Sequence, residues 1–179
     1  SSVESYRAWG CWVERTGDAG KTWSKHGPIN LPGNPYGIIQ PAVFGTANGP
    51  GAHLAMLCRT RGVPRMARTT SDDGGRTWSA ASLIDLPQNN SGLDAVCLKD
   101  GRVVVVYNHT TTGRSPLNLA VSGDLGLTWK RGPVLEEAEG EYSYPAIIQG
   151  ADGTIHIAYT WKRERIRYAT LSPRDLPQP

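Results

Sequence analysis

The chain has 179 residues, 20% of them charged, and a formal net charge of +3. That length suits one domain with a sizeable core, and so slight a basic excess gives no ground for a nucleic-acid partner. No apolar run approaches the length of a membrane-spanning helix and no signal peptide is visible, so no membrane role is expected and the compartment stays open.

The sequence opens Ser-Ser-Val-Glu without Met, as expected of a processed chain or a piece of a longer one. No long segment carries a helical period; short apolar runs recur, punctuated by Gly, Pro, Asn and Asp. Residues 6–16 and 24–29 read as strands flanking a turn, and 30–37, with Pro32, Gly33, Asn34 and Pro35, as a loop. A unit of four strands follows at 38–46, 53–59, 65–70 and 78–84, and a second at 92–98, 103–108, 117–122 and 129–134. The last unit has three, at 145–149, 155–161 and 166–171. The units thus span 1–30, 38–84, 92–134 and 142–172, and the proline-rich tail 173–179 is expected to pair with nothing. Cys11, Cys58 and Cys97 sit in apolar strand-like runs with no zinc spacing, and read as buried free thiols. Asn89-Asn90-Ser91 and Asn108-His109-Thr110 match glycosylation sequons, a pattern that arises readily by chance.

One motif orders these units. [Ser/Thr]-x-Asp-x-Gly-x-Thr-Trp occurs at Thr16–Trp23, Ser71–Trp78 and Ser122–Trp129, with 55 and 51 residues between successive Trp positions. A repeat of about 50 residues suits a four-stranded propeller blade, and the chain is read as all-β, a β-propeller of four-stranded antiparallel blades. The Asp and Ser/Thr side chains are suited to bond backbone N–H groups a few residues on, and the Gly to supply positive φ. One Asp per box falls short of a calcium cage, so the boxes are scaffold and no metal or other cofactor is expected.

In an up-and-down blade with strands a to d, the a–b and c–d turns share one end and the b–c turns and d–a loops the other. The boxes are c–d turns, and 99–101, 151–153 and the longer 47–52 are a–b turns at the same end. The opposite end collects the b–c turns 59–65, 108–115 and 161–165 with the d–a loops 30–40, 85–94 and 136–144. Seven of the nineteen Lys and Arg residues fall in those three turns, facing Glu136, Glu137, Glu139, Glu141, Tyr142 and Tyr144. Arg grips a carboxylate with two parallel bonds, so this end is expected to bind an anion. The candidate binding residues are Arg59, Arg61, Arg114, Arg163 and Arg165 from the turns, with Gln40 and Asn90 from the loops.

The boxes resemble those of the Asp-box (bacterial neuraminidase repeat) proteins of the sialidase-like superfamily, over nearly the whole chain from Trp9 to about Leu171. The resemblance implies a six-bladed ring of which this chain carries about half. It also implies an exo-α-sialidase-type glycosidase that holds the carboxylate of an acidic sugar with an arginine triad and attacks the anomeric carbon with a Tyr. In that family a Glu serves as the base of the Tyr, and an Asp acts as acid/base. Arg59 or Arg61 then fits one triad position, and Arg163 or Arg165 another. The family Tyr opens the inner strand of the last blade as Tyr-Ser-x-Leu, and Glu141-Tyr142-Ser143-Tyr144-Pro145-Ala146 stands in that place. The Tyr-Ser match selects Tyr142 and the distance to Asp152-Gly153 selects Tyr144; both stay open beside Glu141, and Pro145 departs from the pattern. The remaining triad Arg and the acid/base Asp belong to the family's N-terminal half. The chain alone is therefore expected to be inactive and to need that half, or another chain, to close the ring. Because the boxes identify the fold better than the activity, two alternatives stand: a hydrolase or lyase for another acidic glycan, and a non-catalytic carbohydrate- or protein-binding propeller.

Overall fold

A computed structural model describes residues 2–4, 8–45 and 53–179; the predicted 47–52 turn and the start of the predicted 6–16 strand fall outside them. Four antiparallel sheets follow one another in chain order. The first holds β1 (Ser2–Glu4), β2 (Trp9–Arg15) and β3 (Ser24–Ile29), and the second β4 (Ile38–Gly45), β5 (Leu54–Thr60), β6 (Arg65–Ser71) and β7 (Ser82–Pro87). The third holds β8 (Asp94–Cys97), β9 (Val103–Asn108), β10 (Leu117–Ser122) and β11 (Lys130–Glu136). The fourth holds β12 (Tyr142–Gln149), β13 (Ile155–Trp161) and β14 (Arg165–Leu171). This is the expected all-β blade architecture, with strand β1 added: Ser2 pairs with Cys11 and Glu4 with Trp9.

The cores lie between the sheets. Along β5, Ala55 and Leu57 face the third sheet while Met56 and Cys58 face the first. Along β9, Val103, Val105 and Tyr107 face the second sheet while Val104 and Val106 face the fourth. A strand covered on both faces needs apolar residues at every position, which is why β9 reads Val-Val-Val-Val-Tyr without alternation. The outer face of the fourth sheet is different, with Ile148, Ile166 and Tyr168 exposed. The tail does more than the sequence suggests. After a 3₁₀ turn, Pro173–Asp175, Leu176 buries itself in the core between the third and fourth sheets, and Arg102 bonds the Pro173 carbonyl at 2.8 Å.

All three boxes close with the same bonds. The Asp carboxylate accepts the Thr backbone N–H at 2.8–2.9 Å and the Thr hydroxyl at 2.6 Å. The first Ser or Thr oxygen accepts the Gly N–H at 2.8 Å, and each Trp indole N–H reaches that Gly carbonyl. In the third box Gly126 takes φ 83, and a Cβ there would sit 3.1 Å from the Phe44 ring, so the turn requires Gly both for its backbone and for contact with the second sheet.

These bonds hold the carboxylates in their ionised form. The Thr22 bonds bring Asp18 down to about 2, the Thr77 bonds lower Asp73, and in Asp124 the Thr128 and Ser122 bonds outweigh opposing burial. An Asp whose folded pKa lies below its unfolded value of about 3.9 adds stability above that pH, lost as pH falls toward the folded pKa. Thermal midpoints are therefore expected to fall progressively from about pH 4 to about pH 2. In the chain carrying Asn at positions 18, 73 and 124 that acid limb should flatten; an unchanged limb would count against the assignment.

Candidate anion-binding site

At the end opposite the boxes, backbone bonds tie each b–c turn to a neighbouring loop. Arg61 N–H donates to the Gly37 carbonyl at 2.8 Å, Tyr142 N–H to Arg114 O at 3.0 Å and Lys162 N–H to Glu141 O at 2.7 Å. Asn108, buried at the end of β9, donates from one amide nitrogen to the carbonyls of Arg114, Pro116 and Tyr142 at 2.9–3.1 Å. Asn89 reaches the Gly113 carbonyl from the adjacent loop. The turns and loops thus form one connected rim.

Arg59, at the end of β5, is its most buried cation, 6% exposed. Its Nε and Nη2 both donate to Asn90 Oδ1, at 3.0 and 2.8 Å, and Nη1 donates to Gln40 Oε1 at 2.8 Å. Trp9 forms the floor, its ring centroid 5.0 Å from the guanidinium carbon, and Arg61 approaches the same ring at 5.9 Å. No carboxylate among the described residues pairs with Arg59. Gln40 and Asn90, read from sequence as ligand contacts, are bonded here to the arginine itself.

Tyr144 occupies the position in β12 that Gln40 occupies in β4. Both ladders skip register there, between Ile39 and Ala42 and between Ser143 and Ala146. Both residues take left-handed φ, 50 and 49, and both precede Pro-Ala. A bulge carries an extra residue that the partner strand does not match and re-aims its side chain, which leaves Tyr144 54% exposed. The bulge also gives the two tyrosines different surroundings. Tyr142, before it, is 1% exposed, its side chain in the core between the third and fourth sheets and only its backbone on the rim.

The Tyr144 ring lies against Gly92, where an added Cβ would meet Cδ1 at 3.0 Å. Arg114 stands 5.5 Å from its centroid. Glu141 bridges two cations, accepting from Arg114 Nη1 at 3.1 Å and pairing with Arg163 Nε at 2.7 Å. Among the described residues the Tyr144 hydroxyl has no hydrogen-bond partner, and Glu141, the candidate base, is engaged by both arginines. Arg165 is drawn away as well, stacked 4.7 Å from the Trp161 ring and paired with Glu164. His109 bonds the Tyr107 hydroxyl, and burial with nearby Arg131 lowers its pKa.

Three features escaped the sequence reading. Trp9 as the floor of Arg59 needs tertiary contact to be seen. Asp94, on the inner strand β8, accepts the N–H groups of Ala95 and of Ile147 in the next sheet, both at 2.9 Å, and burial raises its pKa; a lone acid in an apolar strand was its signal. Glu136, placed in an acidic loop by sequence, is nearly buried and accepts from the Tyr159 hydroxyl and Arg167 Nη1, each at 2.6 Å. That Tyr–Glu pair looks catalytic, but Tyr159 is 3% exposed and ties strands together. Among the described residues no three His, Cys, Asp or Glu side chains converge as metal ligands would. A groove of about 610 Å³ beside Asp152 and Arg174 lies at the box end, away from the rim.

The model of the BNR repeat-like domain family matches residues 1–157. The chain belongs to that family. Its BNR repeat-like fold is shared with the NanB sialidase of Streptococcus pneumoniae (TM-score 0.76, 22% identity over 98% of this chain). It is also similar to a Hadza microbial sialidase (0.73, 23%, 95%) and to the intramolecular trans-sialidase of Ruminococcus gnavus (0.71, 19%, 93%). The chain spans 29%, 33% and 39% of those proteins' lengths, respectively. No curated protein sequence matches it significantly. The BNR repeat-like chain is therefore sialidase-like in fold.

Proposed function

We propose that the rim binds the carboxylate of an acidic sugar, and that the whole protein is a sialidase-like glycosidase. The observation that carries this reading is Arg59, a largely buried guanidinium at a functional end with no carboxylate partner among the described residues. Burying an unpaired charge is costly, and an anionic ligand removes that cost. Arg114 supplies a second cation beside Tyr144, the proposed nucleophile. The fold's likeness to sialidases and the exposed outer face of the fourth sheet support a further proposal, that additional blades complete the ring and bring the remaining groups.

A second reading is non-catalytic binding of the same ligand class. It is favoured by the Tyr144 hydroxyl, which has no base bonded to it among the described residues, because a phenol is a poor nucleophile until a base takes its proton. Two measurements separate the readings: titration with N-acetylneuraminate and its methyl ester, and turnover of a fluorogenic α-sialoside. Binding of the acid over the ester with turnover supports the glycosidase, and binding without turnover in the ring-completed protein supports the second reading. Equal weak binding of acid and ester would sink both.

A further inference from the structure

We infer that Gln40 and Asn90 are positioning residues that hold Arg59 in place without neutralising it, and so reserve its charge for the ligand. This rests on the carboxylate-binding reading above and assigns these two amides a role apart from touching substrate.

Three observations converge. Among the described residues the acceptors on Arg59 are both side-chain amide oxygens, one Gln and one Asn. Both residues stand in the left-handed region, at φ 50 and 65, which is uncommon for Gln and readily adopted by Asn. The bulge of β4 and the loop after β7 thus aim neutral acceptors at one guanidinium. Finally, the bonds leave a defined remainder. A guanidinium has five N–H donors. Asn90 takes the Nε donor and one on Nη2, and Gln40 takes one on Nη1. One N–H is left on each terminal nitrogen, the number that an end-on bidentate carboxylate uses.

A Glu or Asp in either place would hold the arginine as firmly but add a negative charge at hydrogen-bond distance. The pair would then be electrically complete and would repel the ligand's carboxylate. Gln→Glu and Asn→Asp change almost nothing in shape, so they separate charge from support.

The test is titration of the 179-residue chain with N-acetylneuraminate, followed by NMR between about 0.01 and 0.3 M salt. The parent should bind, and its affinity should fall as salt screens the arginine. Gln40→Glu should weaken binding on the order of 100-fold and remove most of the salt dependence. Gln40→Met, which loses the bond but adds no charge, should weaken it less than about 10-fold and keep the salt dependence. Asn90→Asp, set against Asn90→Leu, repeats the comparison at the second amide. Equal losses in the charged and uncharged variants, or a Gln40→Glu chain that binds like the parent, would overturn the inference. So would failure of both charged variants to fold, since the amides would then be needed to build the rim. A parent chain that does not bind the acid at all would instead remove the carboxylate-binding reading itself.

Discussion

Arg59→Ala is expected to raise the dissociation constant for a sugar carboxylate by at least about 100-fold while the chain stays folded. The size follows from what is removed. A bidentate contact to a carboxylate consists of two charge-assisted hydrogen bonds, each contributing about 1.5–3 kcal/mol. The substitution also leaves Gln40 Oε1 and Asn90 Oδ1 without their donor and opens space over Trp9. Loss of a partner from a buried polar group costs about 1–3 kcal/mol, within the usual stability of a domain. Calorimetric titration with thermal melts reads both effects. Arg61→Ala should do much less, because Arg61 is only half-buried and touches the same ring from further off. A chain lacking the Arg59 side chain that binds as tightly as the parent would place the ligand elsewhere.

The second large effect is kinetic. In the ring-completed protein, Tyr144→Phe should lower turnover on the order of a thousand-fold or more and leave carboxylate affinity within a few-fold. The phenyl ring keeps its packing against Gly92 and its position beside Arg114, so only the nucleophilic oxygen is lost. A carboxylate nucleophile in that place would be repelled by the acid group next to the anomeric carbon of a sialic acid, whereas a phenol is neutral until it reacts. Tyr142→Phe should change turnover little, since that side chain is buried in the core. Full activity in the Tyr144→Phe protein would remove Tyr144 from the chemistry and leave the binding site standing.

The blades were legible because their information is local. Each box is closed by side chains bonding backbone within four residues, so the same residue types recur wherever the same turn does. The strand at 103–108 was legible in the same way, as a short apolar run between Gly and Asn. The rim was legible only as a place. Topology put Arg59, Arg114, Arg163, Glu141 and Tyr144 at one end, but pairings depend on tertiary distance: Glu141 went to two arginines, Arg165 to Trp161, and Arg59 to two amides. That the Tyr142 side chain is buried and that of Tyr144 exposed turned on a bulge between Ser143 and Ala146, which depends on pairing with β13 and has no local signal. Leu176 was missed because a proline-rich tail gives no periodic signal even when one residue of it fills a core.

The most direct test is a spectrum of arginine Nε–H and tryptophan indole N–H groups during titration with N-acetylneuraminate. If the rim binds the carboxylate, the Arg59 and Arg114 signals shift and saturate together, the methyl ester leaves them still, and the box indoles of Trp23, Trp78 and Trp129 do not move. Shifts confined to the box indoles, or equal arginine shifts with acid and ester, would contradict it.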